Sequence, residues 1–181
     1  KKKKNKVAII GLGYVGLPLV KRFVNSNKID VFGLDNDIKK VNLLRKGISP
    51  IDSIKIQYFK KFKDRVSNDY SIIDLVDIII ICLPTPLKLK KEPDLAYLDY
   101  CYKKLSKINL ENKMIILEST VYPGVTRHYA NKILKISSKY KLGKNIFFGY
   151  SPERENPGDK NFSYKKTPKV ISGYSKSCLR L

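Results

Sequence analysis

Val7-Ala-Ile-Ile-Gly11-Leu-Gly13-Tyr-Val-Gly16-Leu-Pro-Leu-Val-Lys-Arg-Phe23 decides the fold. An apolar run, a GxGxxG and an amphipathic stretch follow one another, which places the glycines between a strand and a helix. Gly11 allows a tight turn off the strand, Gly13 lets backbone N–H groups approach a pyrophosphate, and Gly16 lets the helix pack closely on the sheet. Tyr14 and Val15 belong to the same binding loop. The helix that follows offers unpaired N–H groups and a positive dipole end to phosphates. Pro18 falls in its first turn, where a missing N–H costs little.

The next segment completes the pattern. Asp30-Val-Phe-Gly-Leu-Asp35 reads as a short second strand ending in a carboxylate, nineteen residues beyond Gly16. A carboxylate there can accept hydrogen bonds from both ribose hydroxyls of an adenosine and would repel a 2′-phosphate, so NAD is favoured over NADP. Lys40 lies a turn further on. Asp37 is a rival acid, but it falls at the start of the next helix.

Apolar runs and helical patterns alternate along the rest of the chain. Strands are expected at Val7–Ile10, Val31–Leu34, Val76–Cys82, Lys113–Leu117, Asn145–Tyr150 and Lys169–Ser172. Helices are expected at Tyr14–Asn25, Ile38–Arg45, Ile51–Lys63, Asp94–Ile108 and Val125–Tyr140, with a helical turn at Ser71–Leu75 and Asp94 as a cap. Strands separated by helices imply right-handed crossovers. The fold class is therefore α/β, Rossmann-type and doubly wound, a mainly parallel sheet with helices on both faces over residues 1–181. The chain ends after its last predicted strand without a closing element, an abruptness expected of a fragment.

Composition narrows the partners. Lys and Arg number 37 against 16 Asp and Glu, a net charge of +21. The lysines are spread over the whole chain and arginine is scarce, which favours a solvated basic surface over a nucleic-acid face, so no nucleic acid is expected as partner. Such a surface still steers anionic ligands. No apolar run reaches the roughly eighteen residues of a membrane span, so no membrane is expected either. The three cysteines, Cys82, Cys101 and Cys178, form no metal spacing and fit a reducing cytoplasm. His128, the single histidine, reads as a helix-surface residue.

Ligands of a doubly wound sheet bind beyond the carboxyl ends of its strands. The loops at those ends are the glycine turn, Asp35, Leu83-Pro-Thr-Pro86, Glu118-Ser-Thr-Val-Tyr-Pro-Gly-Val-Thr126, and Gly149-Tyr-Ser-Pro-Glu-Arg-Glu-Asn-Pro-Gly-Asp159. Polar groups and rigid Pro-Gly turns thus converge on one edge.

These motifs, together with Pro93-Asp-Leu95 and Ser151-Pro-Glu-Arg154, occur in an order that resembles the N-terminal domain of the UDP-glucose/UDP-N-acetyl-sugar 6-dehydrogenase family. Glu155-Asn-Pro-Gly-Asp-Lys160, followed by Lys169-Val-Ile-Ser-Gly173, is similar to the branch acting on UDP-N-acetylglucosamine or UDP-N-acetylgalactosamine. The resemblance implies a four-electron oxidation of the 6-hydroxyl of a UDP-N-acetyl-hexosamine to the uronate with two NAD, for surface-polysaccharide synthesis. The alternatives are a UDP-glucose or UDP-N-acetylmannosamine 6-dehydrogenase, or a non-catalytic NAD-binding module.

By that resemblance Thr120 would orient the catalytic water or a reacting oxygen. Glu153 would take part in proton transfer and thioester hydrolysis, and Arg154 would sit with Glu153 near the sugar nucleotide. Pro84, Thr85, Ser119 and Thr120 would line the cofactor. Glu118 is left between pointing into the cofactor site and capping the following turn. The family's cysteine nucleophile belongs to a loop of a C-terminal UDP-sugar domain, and none of the three cysteines here matches it. That domain and the central helical segment that makes the family's homodimer have no counterpart in these residues, so this chain alone is expected to bind NAD without completing the oxidation.

Overall fold

The computed structural model describes residues 4–26, 28–51, 62–89, 91–153 and 168–181. Its chain forms two units, Lys1–Cys82 and Leu83–Leu181. Doubly wound folds are built from two such halves.

In the first unit, β1 (Asn5–Ile10) pairs in parallel with β2 (Ile29–Leu34) on one side and β4 (Ile78–Ile81) on the other, and β3 (Val66–Ser67) adds in parallel beyond β2. Val7 to Ile10 are all buried, as an inner strand covered on both faces requires. Helix α1 (Gly16–Val24) crosses from β1 to β2 and buries Leu17, Leu19 and Val20. Helix α2 (Ile38–Arg45) follows β2 over the residues expected, because Asp37 caps it: one carboxylate oxygen accepts from the Lys39 and Lys40 N–H groups at 2.9 and 3.3 Å. The turn before β4 is a 3-10 helix, Tyr70–Leu75, opened by Asp69 accepting from Ser71 N–H. Most of the predicted Ile51–Lys63 helix lies outside the described residues.

In the second unit, α3 (Ala96–Leu105) precedes β5 (Lys113–Leu117), and α4 (Val125–Leu134) carries the chain to β6 (Ile146–Tyr150), parallel to β5. The N-cap of α3 is Leu95, without a side-chain cap, rather than Asp94; Asp94 stands one residue earlier, where its carboxylate accepts from Ala96 N–H at 3.0 Å. The apolar faces of α3 and α4 meet through Tyr102 and Tyr129, whose rings stack 4.2 Å apart and nearly parallel. His128 is exposed on α4.

Three more expectations change here. Helix α4 stops at Leu134 rather than Tyr140. Ser137 takes the Lys139 N–H in a local turn, and the Tyr140 hydroxyl is drawn to the Leu110 N–H, a tertiary contact that a continued helix would forgo. The last strand, β7 (Ser172–Gly173), is two residues long and antiparallel to β6. Alternation fixes strand direction only where a helix intervenes, and no helical pattern separates Tyr150 from Lys169. The chain also has a closing element after β7: helix α5 (Lys176–Arg180), opened by Ser175, whose hydroxyl accepts from Cys178 N–H. No helix among the described residues is long and apolar enough to cross a membrane.

Candidate functional site

The glycine turn hangs from the end of β1. Gly11 adopts a φ of 93°, and its N–H donates to the Leu34 carbonyl at the end of β2. A side chain at Gly16 would overlap the Gly11 carbonyl oxygen, so the third glycine is dictated by helix–turn contact. At Gly13 the reason differs. A Cβ there would meet nothing within 4 Å, so the space beside the turn is open for a ligand. Tyr14 is two-thirds exposed and Val15 half-buried at the start of α1. Helix α1 has no side-chain cap and no acid in its first turn, unlike α2 with its capping Asp37. Leu17 N–H already donates to the Gly13 carbonyl at 3.0 Å and Pro18 has no N–H, so the N-terminus offers an anion chiefly its positive dipole end.

Asp35 stands where the parallel register of β1 and β2 brings the two strand ends side by side, Ile10 opposite Leu34. Its carboxylate is about nine-tenths buried and is held by three donors. Leu12 N–H reaches Oδ2 at 2.8 Å, Lys40 Nζ reaches the same oxygen at 2.7 Å, and Asp37 N–H reaches Oδ1 at 3.0 Å. The glycine turn, the acid and the lysine of the sequence prediction therefore form one cluster. Asp37, the rival acid, is committed to capping α2.

The second unit assembles the other loops. The Thr85 hydroxyl donates to the Thr120 carbonyl at 2.6 Å, which ties Leu83-Pro-Thr-Pro86 to the loop after β5. Asp94 N–H donates to the Pro86 carbonyl at 2.7 Å, joining the Pro93-Asp-Leu95 motif to the same stretch. Pro84 and Thr120 are exposed, and Thr85 is half-buried. Ser119 is buried, and its hydroxyl has no hydrogen-bond partner among the described residues, so it does not cap the turn. An orphaned buried hydroxyl beside an exposed threonine suits a ligand-lined loop.

Glu118 and Glu153 carry the acidity of this unit. Glu118 is buried at the end of β5, and its Oε1 takes a hydrogen bond from Lys169 Nζ at 2.5 Å. Burial pushes the Glu118 carboxyl above its ordinary range, the Lys169 ammonium pulls it back, and the neighbouring Glu153 carboxyl pushes it up again. Glu153 N–H donates to the Glu118 carbonyl at 3.3 Å, which locks the Ser151-Pro-Glu segment onto the end of β5. Glu153 is half-buried rather than a surface acid. Arg154 lies outside the described residues. Lys169 was legible only as part of a strand, because no spacing pattern links it to an acid 51 positions earlier.

Cys82, Cys101 and Cys178 are buried, and none of them forms a disulfide among the described residues. Among the described residues no group of three or more His, Cys, Asp or Glu could hold a metal ion.

A glycine turn with open space at its second glycine, an uncapped helix and a strand-end carboxylate define a dinucleotide-binding domain of the Rossmann type. Residues 5–181 match the NAD binding domain of the UDP-glucose/GDP-mannose dehydrogenase family, and the chain belongs to that family. It is 36% identical over 170 residues to the UDP-N-acetyl-D-glucosamine 6-dehydrogenase of Pseudomonas aeruginosa, spanning 93% of this chain and 40% of that protein. It is 33% identical over 175 residues to Protein CapL of Staphylococcus aureus, covering 97% of this chain and 41% of that one. Among solved structures, the UDP-D-ManNAc dehydrogenase of Pyrococcus horikoshii superposes with a TM-score of 0.83 at 26% identity, over 96% of this chain and 42% of that one. The NDP-N-acetyl-D-galactosaminuronic acid dehydrogenase of Methanosarcina mazei Go1 gives 0.84 at 25%, over 99% and 41%. The chain thus spans about two fifths of the length of the relatives it matches. Its fold is the mainly parallel Rossmann type expected, and NAD is its cofactor.

Proposed function

We infer that this chain, over residues 1–181, is the NAD-binding part of an enzyme that oxidises the 6-hydroxyl of a UDP-N-acetyl-hexosamine to the uronate. The observation that carries the reading is the Asp35 carboxylate, fixed by Leu12 N–H beside the open face of Gly13. The turn at Gly11, Gly13 and Gly16 with Tyr14 and Val15 would hold the pyrophosphate, and Asp35 with Lys40 the adenosine ribose. Pro84, Thr85, Ser119 and Thr120 would line the remainder of the cofactor. Held there, NAD would supply the hydride acceptor for oxidation of the sugar carbon.

The chain's own residues then serve substrate and protons. Thr120 is exposed and its backbone is pinned by Thr85, which suits a residue that orients water or a reacting oxygen. Glu153, half-buried beside a second carboxyl, suits proton transfer. Arg154 is assigned to the sugar nucleotide on its adjacency to Glu153 in sequence. The thiol step and the homodimer belong to segments beyond these residues, and three buried cysteines outside any disulfide accord with a reducing cytoplasm.

Support for the acetamido-sugar class comes from the Pseudomonas aeruginosa relative and from the Salmonella typhi UDP-N-acetyl-D-glucosamine 6-dehydrogenase, 34% identical over 173 residues. A UDP-N-acetylmannosamine substrate is the second reading, favoured by 31% identity over 183 residues to the UDP-N-acetyl-D-mannosamine dehydrogenase of Campylobacter jejuni. Calorimetric titration of the chain with NAD and NADP tests the cofactor assignment: NAD binding is expected, and a preference for NADP would overturn it. Product analysis of the full-length protein with each UDP-N-acetyl-hexosamine separates the two substrates.

A further inference from the structure

Glu118 is the residue where two candidate catalytic segments meet. Its carbonyl accepts the Glu153 N–H at 3.3 Å, and one position earlier the Leu117 carbonyl accepts the Ser151 N–H at 3.0 Å. Two positions later comes Thr120, whose carbonyl is held by the Thr85 hydroxyl at 2.6 Å. The direction in which the chain leaves β5 therefore sets the places of Thr120 and Glu153 together.

The Glu118 side chain is fixed from outside both segments. Lys169, three residues before β7, places its Nζ 2.5 Å from Glu118 Oε1. The glutamate side chain is 6% exposed and the lysine side chain 32%. The acid thus lies inside the protein, while the lysine reaches it from the surface along its apolar stem. A charge-assisted hydrogen bond of this kind is directional as well as strong. A buried ion pair seldom stabilises a fold more than apolar packing of the same volume would, and its best-attested use is to fix register.

We propose that Lys169 is a positioning residue: its ion pair with Glu118 fixes the end of β5, and with it the placement of Thr120 and Glu153. The consequence for catalysis rests on the function proposed above, because only there do Thr120 and Glu153 act on a substrate. Lys169 touches neither substrate nor cofactor in this role.

Hydrogen exchange of the Ser151 and Glu153 amides tests the tie without cofactor or sugar, and steady-state kinetics of the full-length protein test its consequence. In Lys169→Met both amides are expected to exchange roughly tenfold faster or more, because the buried acid loses the charge that holds it. Tyr174 N–H, bonded to the Phe148 carbonyl, and Gly11 N–H, bonded to the Leu34 carbonyl, are expected to keep their protection. Lys169→Arg is expected to restore the protection of Ser151 and Glu153. Glu118→Leu removes the tie without leaving an unpaired buried charge. The same selective loss is expected there, and it decides the matter if Lys169→Met fails to fold. In the full-length protein the kcat of Lys169→Met is expected to fall by up to about 100-fold, with KM for NAD unchanged and with recovery in Lys169→Arg. Unchanged protection of Ser151 and Glu153, or an equal loss at all four amides, overturns the proposal. An unchanged kcat beside a selective loss of protection overturns it as well. If the full-length parent oxidises no UDP-N-acetyl-hexosamine, the function proposed above fails, while the exchange data still decide the tie.

Discussion

Lys40 Nζ lies 2.7 Å from Asp35 Oδ2, the same oxygen that receives Leu12 N–H. The lysine neutralises the acid while the backbone aims it. A carboxylate offers about four acceptor positions and three donors occupy three of them here, so an adenosine ribose presenting two hydroxyls finds one open position and gains a second only by displacing a donor such as Lys40.

Asp35→Ala removes the acceptor for the ribose. A hydrogen bond to a charged group contributes about 1.5–3 kcal/mol, so the Kd for NAD is expected to rise roughly 10- to 100-fold. Calorimetry reads this directly, and unchanged affinity would place the ribose elsewhere.

Lys40→Met tests the sharing. It frees an acceptor position on Asp35 and removes the positive charge that offsets it. The preference for NAD over NADP is expected to increase, because the bare carboxylate repels a 2′-phosphate more strongly. A variant that gained NADP binding would contradict this arrangement.

Gly13 and Gly16 should separate binding from folding. Gly16→Ala drives a methyl group into the Gly11 carbonyl. Overpacking of this kind costs about 1–3 kcal/mol, and each kcal/mol lowers the Tm of a chain this size by roughly 2–4 °C. Gly13→Ala meets open space, so thermal unfolding should be unchanged while NAD binding falls as the methyl fills the approach to the turn. Equal losses of stability in both variants would refute the distinction.

The Glu118 carboxyl is held above its ordinary value of 4.5, first by burial and further by Glu153. The folded state therefore binds this proton more tightly than the unfolded chain does. The stabilisation is fully present below about pH 4.5 and is lost as pH rises through the elevated folded value. Urea unfolding across that window should show the parent chain losing stability relative to Glu118→Gln as pH increases. A difference that grew in the opposite sense would mean that the Lys169 ion pair outweighs burial.

Local chemistry was legible from the start where one segment carries the whole cause. The strand–glycine–helix order around Gly11 and the Asp37 cap of α2 each depend on residues a few positions apart. The Leu117 end of β5 and the Arg45 end of α2 fell where predicted for the same reason. The sequence by itself thus determined the class of fold, the dinucleotide turn and the acid that serves it.

Tertiary structure decided what depends on distant partners. The direction of β7 follows from its pairing with β6 rather than from its own residues. The early end of α4 follows from Tyr140 meeting Leu110, 30 positions away. Lys169 finds Glu118 across 51 positions, and Glu153 joins them only because its backbone is hydrogen-bonded to the Glu118 carbonyl. Short-range patterns encode turns, caps and apolar faces, whereas burial and the charge pairs it enforces arise only when the chain closes on itself.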